Sequence, residues 1–318
     1  MFRWIYQKSV LLVLLLIVLP SAIVNSLPEY TRIGLRYRYL MRFGALPKAK
    51  KGDVLSQRLW GQRYAKGLFT EKNPAEAVKW YRQAADQGDI TSQFELGKLY
   101  ASGEGLPVDY PEALKWLYKA AEKGHVEAQS NIGTFYENGM GVRQDYLAAA
   151  KWYYRAATQG YADAQFNLGN LYLQGLGVKN NPAKAEEWYR KAANQGHGEA
   201  QFNLGYLYYS GEAGERDYER AAKWFRDAAD QGNVLAQYYL GLQHSRGVGA
   251  PKDMAKAADW FQKAAEQGHE DAQLQLGIIY YHNQKLEEAN EWLTLAAEQG
   301  NAEAKTYLDK IQPVLNNK

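Results

Sequence analysis

Three histidines recur at a fixed spacing, His125, His197 and His269, each 72 residues from the next. Histidine is the commonest metal ligand near neutral pH, so a regular row of them raises the question of a metal site. A shared ion would need its ligands within about 2 Å of one centre. If each added helix layer advances about 10 Å, these three lie too far apart to meet. Asp89, Asn233 and Asn301 hold the same slot in other copies of the pattern, and all three residue types carry an acceptor that can cap a helix start. His244 stands where other copies carry Tyr172 and Tyr208, which reads as a packing substitution.

The second candidate chemistry is phosphate binding, suggested by the turns Gly139-Met140-Gly141-Val142, Gly175-Leu176-Gly177-Val178 and Gly247-Val248-Gly249-Ala250. No strand pattern precedes them, and no Lys-Ser or Lys-Thr pair opens a following helix, so they read as structural turns. There is no Ser-x-x-Lys motif, no serine–histidine pair in a site-like setting, and no cysteine. No catalytic, metal-ligating or cofactor-binding residue is expected, and the chain is read as a non-enzyme.

The elements that place these residues repeat. Tryptophan occurs at Trp80, Trp116, Trp152, Trp188, Trp224 and Trp260 with a step of 36, then at Trp292 after 32. A mid-unit glycine keeps pace from Gly61 to Gly277, and a terminal one from Gly88 to Gly300. Seven copies at one period predict a stacked array of small units. In the unit Tyr161 to Gly196, Ala164, Leu168 and Tyr172 share one helical face. Ala185, Trp188, Tyr189, Ala192 and Ala193 form a stripe over about 100° of a second helix. Gly169 lies inside the first helix, where glycine costs roughly 1 kcal/mol against alanine. The expected reason is a second helix backbone crossing there. Asn181 and its counterparts Asp109, Asp145, Asp217 and Asp253 are expected N-caps, and Gly196 a left-handed C-terminal residue. The last unit lacks four residues of the glycine-rich turn.

The pattern Ala-x-x-x-Leu-Gly-x-x-Tyr-x-x-Gly-x-Gly-Val, followed by Asp-x-x-x-Ala-x-x-Trp-Tyr-x-x-Ala-Ala-x-x-Gly, resembles the Sel-one-like repeat of the tetratricopeptide superfamily. Residues 89–268 match it closely, and 53–88 and 269–300 with small departures. The resemblance implies an all-α, right-handed solenoid of about seven antiparallel helix pairs, serving as an adaptor or assembly scaffold. A cysteine-rich subgroup of such proteins has been linked to β-lactam hydrolysis, and a chain with no cysteine departs from it.

In tetratricopeptide-like arrays the first helix of each unit lines the concave side. Turning Ala128, Ile132 and Tyr136 inward leaves Glu127, Asn131, Thr134 and Asn138 on the opposite stripe. The following units supply Asp163, Asn167, Asn170 and Gln174, then Glu199, Asn203, Tyr206 and Ser210, then Leu235, Tyr239, Leu242 and Arg246. The candidate groove is therefore Asn131, Thr134, Asn167, Asn170, Asn203, Tyr206, Tyr239 and Leu242. Asparagine offers donors and an acceptor to a peptide backbone, and Tyr239 with Leu242 would seat an apolar side chain. A protein partner bound there is the first expectation. Binding of polysaccharide or peptidoglycan is the alternative.

Charge is divided unevenly. The net +3 conceals +8 in residues 1–52 and −5 in the remainder, and nothing in the array suggests nucleic acid. Residues 1–26 have a basic start, an apolar run from Val10 to Leu19 and small residues up to Ser26, which predicts an export signal, cleaved or kept as an anchor. Residues 27–52 are read as a basic cap or extension, 53–300 as the array and 301–318 as a capping helix and tail. Within the extension, Tyr30, Ile33, Tyr37, Leu40 and Gly44 could share a helical face, and Pro47 to Gly52 is read as a linker. Ala302 to Ile311 is read as a closing helix broken by Pro313. The expected location is the periplasm, attached to the inner membrane or released from it. Arg32, Arg36, Arg38 and Arg42 favour the alternative, the cytoplasmic face of that membrane, where the chain would be a membrane-anchored regulator.

Overall fold

The computed structural model describes residues 46–68 and 70–316. The signal or anchor segment and the face from Tyr30 to Gly44 lie outside them. Every regular element among the described residues is a helix. They form two compact units, divided between Ala128 and Gln129. In the first, α1 (Leu46–Lys50) leads into α2 (Val54–Lys66), α3 (Pro74–Asp86), α4 (Ile90–Ser102) and α5 (Tyr110–Glu122). Helix α6 (Val126–Asn138) begins at the end of this unit. In the second follow α7 (Tyr146–Thr158), α8 (Ala162–Gln174), α9 (Pro182–Ala193), α10 (Gly198–Ser210) and α11 (Tyr218–Asp230). It closes with α12 (Val234–Arg246), α13 (Met254–Glu266), α14 (Glu270–His282), α15 (Leu286–Glu298) and α16 (Ala302–Leu315).

Local chemistry sets the helix ends. The side chains of Asp109, Asp145, Asn181 and Asp217 each accept a hydrogen bond from the backbone N–H three residues on, at 2.9–3.0 Å. Asp253 does the same for Lys256 at 3.0 Å. At the far end of α9, Gly196 has φ +87°, and the next N–H, that of His197, reaches back to the carbonyl of Ala192 at 3.2 Å. In the last repeat only Asn283, Gln284 and Lys285 join α14 to α15, and Gln284 supplies the left-handed residue with φ +59°.

The core is a run of small residues pierced by one large side chain per pair. Ala185, Ala192 and Ala200 are fully buried, and so is Tyr189. Tyr153, Phe225 and Phe261 are the equivalent knobs, whereas Trp152, Trp224 and Trp260, one residue earlier, are only half-buried. Each fully buried aromatic contributes about 1.5–3 kcal/mol.

The crossing expected at Gly169 has a different cause. A Cβ there would lie 2.6 Å from the ring of Tyr189, so the space is taken by a side chain and not by a backbone. The backbone approach occurs at Gly177 in the turn, where a Cβ would meet the carbonyl of Tyr146 at 2.3 Å. Its φ of +67° also belongs to the left-handed region.

A glutamine pair within a repeat ties its two helices together and reaches back to the repeat before. Gln165 donates to the carbonyl of Ala157 at 3.0 Å, and its Oε1 accepts from Gln195 at 2.8 Å. Gln201 with Gln231 and Gln237 with Gln267 repeat the arrangement. Each pair adds a side-chain donor to a helix-end carbonyl that already accepts the N–H of the terminal glycine.

Two expectations about the ends need correction. Residues 47–52 are not a plain linker, because Leu46–Lys50 is helical, Ala49 is buried and its carbonyl accepts from Gln57 at 3.1 Å. Pro313 does not break α16, which runs on to Leu315. It sits exposed in the last turn, where it forfeits a single N–H bond, while buried Ile311 holds the helix against Leu286 and Leu293. No helix among the described residues is long and apolar enough to cross a membrane.

Candidate functional site

The stripe on the first helices is built from below by the knobs of the second. Because Gly169 has no side chain, the ring of Tyr189 crosses α8 and carries its hydroxyl to the outer stripe. There it donates to Asn170 Oδ1 at 2.6 Å, and Asn203 Nδ2 donates to the same oxygen at 3.4 Å. One repeat earlier, Tyr153 does the same beside Gly133. Its hydroxyl donates to Glu137 Oε2 at 2.5 Å and lies 3.0 Å from Thr134 Oγ1. The side chain of Asn167 on the following helix approaches the Tyr153 hydroxyl and pulls its pKa down, against the larger effects of burial and Glu137. Burial pushes the Tyr189 phenol up to about 12, and burial followed by the Glu137 carboxylate raises that of Tyr153 further. Both hydroxyls therefore stay protonated donors under ordinary conditions.

The next knob, Phe225, has no hydroxyl, and the stripe changes character there. The ring of Tyr239 stacks on Phe225 with centroids 5.2 Å apart. Tyr206 and Tyr209 meet Tyr239 edge-on at 5.7 and 5.1 Å. Burial and the neighbouring Tyr206 and Tyr209 raise the Tyr239 phenol. Tyr206 is 38% exposed and Arg246 donates to the Tyr209 hydroxyl at 3.3 Å, so the aromatic cluster opens to solvent at a cationic edge.

The structure thus bonds Thr134 to Tyr153 with Asn167 close by, joins Asn170 and Asn203 through Tyr189, and sets Tyr206 against Tyr239. Asn131 is half-buried on α6. Leu242 is a correction. It is buried among Ala257, Phe261, Ala272 and Ile279 and presents nothing to the stripe, because α13 and α14 close over that side of α12. Glu137, Tyr153 and Tyr209 also belong to the face, as does Tyr189, which the sequence places only in the apolar stripe of the second helix. The signal was the residue after each tryptophan, hydroxylated at Tyr153 and Tyr189 and not at Phe225.

The periodic histidines serve helix starts. Nδ1 of His197 and of His269 accepts from the N–H of Ala200 and Ala272, both at 3.2 Å, and Nδ1 of His125 from Ala128 at 3.3 Å. Their rings stack on Phe166, Tyr238 and Phe94 at 4.8, 4.6 and 4.3 Å. No group of His, Asp and Glu among the described residues is arranged to hold a metal ion. His244 is buried, with Nδ1 3.4 Å from the carbonyl of Pro251.

The Sel1 repeat pattern matches seven consecutive stretches, 54–89, 90–125, 126–161, 162–197, 198–233, 234–269 and 270–301. The chain belongs to the Sel1 repeat family. Each match spans one first helix, one second helix and the terminal glycine, so the family unit and the structural pair coincide. The Sel1 fold is shared with the crystal structure of c5321, a protective antigen of uropathogenic Escherichia coli strains displaying an SLR fold. Identity to it is 38% and the TM-score 0.78, covering 83% of this chain and 57% of that one. The chain thus spans little more than half of that relative's length. A Sel1 repeat protein from Oxalobacter formigenes is 34% identical with a TM-score of 0.69, covering 91% of this chain and 83% of its own. No curated protein matches. Sel1 repeats form an α-solenoid typical of protein–protein interaction scaffolds, generally non-catalytic, in which stacked units present an extended surface.

Proposed function

We propose that this Sel1 repeat protein is a non-catalytic scaffold of a bacterial cell envelope that holds an extended segment of a partner protein along its first helices. The observation that carries this is the pair of buried tyrosine hydroxyls, Tyr153 and Tyr189. They order the side chains of Thr134, Asn167, Asn170 and Asn203 into one polar tract. Asn170 Oδ1 is already engaged, which leaves its Nδ2 as the donor for a ligand, and a row of amides matches the alternating donors and acceptors of a peptide backbone. The aromatic cluster of Tyr206, Tyr209 and Tyr239 follows directly and suits one large apolar side chain. Residues 1–26 support the envelope location, with the periplasm favoured over the cytoplasmic face.

The test is capture of partners from solubilised envelopes by a combined Asn131→Ala, Asn167→Ala and Tyr206→Ala variant. A Lys115→Ala and Lys223→Ala variant serves as control, with melting curves recorded for both. The first variant should lose capture and the second keep it. Capture lost only in the lysine variant would refute the face. Saturable binding to purified sacculi free of other protein would favour the polysaccharide alternative. A reporter active only outside the cytoplasm, fused after Lys318, should be active if the location is periplasmic.

A further inference from the structure

A second surface, sharing no residue with the polar stripe, lies between α7, α8 and the turn after α8. It is a cleft of about 470 Å³ with an apolar floor that includes Leu147, Ala150, Tyr154 and Val178. Leu147 and Tyr154, two turns apart on one face of α7, are 51% and 53% exposed, a high exposure for large side chains. The repeat provides its own comparison. Leu147 is replaced by Ala183 and Glu219 in the next two copies, and Tyr154 by Arg190 and Arg226. Tyr118 keeps the ring in the preceding copy, where Pro111 stands in place of Leu147, so it is the pairing of Leu147 with Tyr154 that belongs to this copy and is not required by the fold.

The same interstice one repeat on shows what the cleft lacks. There Glu186 stands in place of Ala150. Its carboxylate accepts from the Tyr208 hydroxyl at 2.7 Å and from the guanidinium of Arg190. Tyr208 is thereby satisfied, and the space is a polar pocket of about 320 Å³. In the cleft, Tyr172 is the counterpart of Tyr208, and its hydroxyl has no partner among the described residues. Lys151 and Arg155 line the rim, and Lys184 lies 5.3 Å from the Tyr172 ring. None of the three pairs with a carboxylate among the described residues. Arg155 rests on the Trp152 ring at 4.5 Å, so a donor hydroxyl, cations without a carboxylate and an apolar floor remain.

We infer that this cleft docks an acidic–apolar segment of a partner protein, a Glu or Asp next to a Leu, Ile or Phe. The partner's carboxylate takes the place that Glu186 fills in the neighbouring copy. It accepts from the Tyr172 hydroxyl and faces Lys151 and Lys184, while the apolar side chain covers Leu147 and Tyr154. Charge excludes the chain's own N-terminal segment as occupant. Residues 1–45 carry six Lys or Arg against one Glu and would be repelled by the rim.

The experiment is fluorescence anisotropy of the full chain with a labelled Gly-Leu-Glu-Phe-Gly peptide and with its Gln and Lys counterparts. The Glu peptide should bind saturably, the Gln peptide roughly tenfold more weakly, as expected for loss of a charge-assisted bond, and the Lys peptide not at all. Ala150→Glu places the neighbour's carboxylate in the cleft and should abolish binding. Tyr172→Phe, which keeps the ring and the fold, should weaken it roughly tenfold, and Tyr208→Phe should leave it unchanged. Equal binding of the Lys peptide, or full binding by Ala150→Glu and Tyr172→Phe, would overturn the assignment. So would self-association of the wild type in sedimentation that Ala150→Glu removes, since the occupant would then be a second copy.

Discussion

The ring of Tyr189 lies where a Cβ on Gly169 would be, 2.6 Å from its Cε1 atom. Real Cβ atoms do not approach so closely, so the glycine and the ring are one packing unit. The same relation holds at Gly133 with Tyr153 and Gly241 with Phe261, at 2.7 and 2.5 Å. Gly169→Val should therefore lower stability by about 1–3 kcal/mol in urea unfolding, despite the gain in helix propensity. Lys179→Val, in an exposed turn, should be nearly neutral. Combining Gly169→Ala with Tyr189→Ala should cost less than the two separate changes added, by more than about 0.5 kcal/mol. Strict additivity would show that the two residues are not in contact.

The glutamine pairing fails at one place. Gln93 donates to the carbonyl of Ala85 at 3.0 Å, but its buried Oε1 has no partner among the described residues, because position 123 holds lysine where the other copies hold glutamine. Lys123 instead donates to the carbonyl of Gly88 at 2.8 Å, an exposed contact. Lys123→Gln should raise stability by about 1 kcal/mol, since an unsatisfied buried acceptor costs about 1–3 kcal/mol. Gln159→Lys, the reverse change at the equivalent place, should lower it. A destabilised Lys123→Gln would mean that the lysine bond outweighs the orphan.

His269 caps α14 through an unprotonated Nδ1, and burial holds its pKa below the ordinary 6.5, against a smaller opposite pull from Asp271 and Glu270. His125 is lowered for the same reason, with Glu127 and Glu95 opposing. A depressed folded pKa means that the native state binds fewer protons than the unfolded chain. The caps' contribution is then complete above pH 6.5 and is lost as pH falls through the folded value. His269→Asn, the residue found at Asn233 and Asn301, should keep the cap and flatten the fall in melting temperature between pH 7 and 5 (roughly one unit either side of the histidine range). An unchanged slope in that variant would remove the histidine from the account.

Tyr189→Phe should fold, since Phe225 and Phe261 fill the equivalent places as phenyl rings alone. It should lose about 1 kcal/mol with the bond to Asn170. The raised phenol pKa of about 12 stabilises the native state fully below the ordinary value of 10, and this is lost as pH rises through 12. The difference in stability between wild type and Tyr189→Phe should therefore narrow above pH 10. A difference that stays constant into strong alkali would mean the hydroxyl is not buried as described.

What the amino-acid sequence alone determined is whatever depends on a few neighbouring residues. Its period marks the helix pairs, and Asp145 or Asn181 caps a helix because its own side chain reaches an N–H three residues ahead. Gly196 ends one because only glycine adopts φ +87° without strain. The asparagine stripe was legible for the same reason, since helical angle follows from spacing. Depth does not follow from spacing. Tyr189 and Trp188 sit one residue apart on the same apolar stripe, yet only the tyrosine enters the gap over Gly169, because that gap belongs to another helix. Leu242 projects onto the outer stripe but is roofed over by Phe261 and Ile279. Gln165 meets Gln195, and Ala150 leaves Tyr172 without the carboxylate that Glu186 gives Tyr208. These contacts join residues 19 to 37 apart through the space between helices. They depend on which side chain reaches that space, and only the tertiary structure decides it.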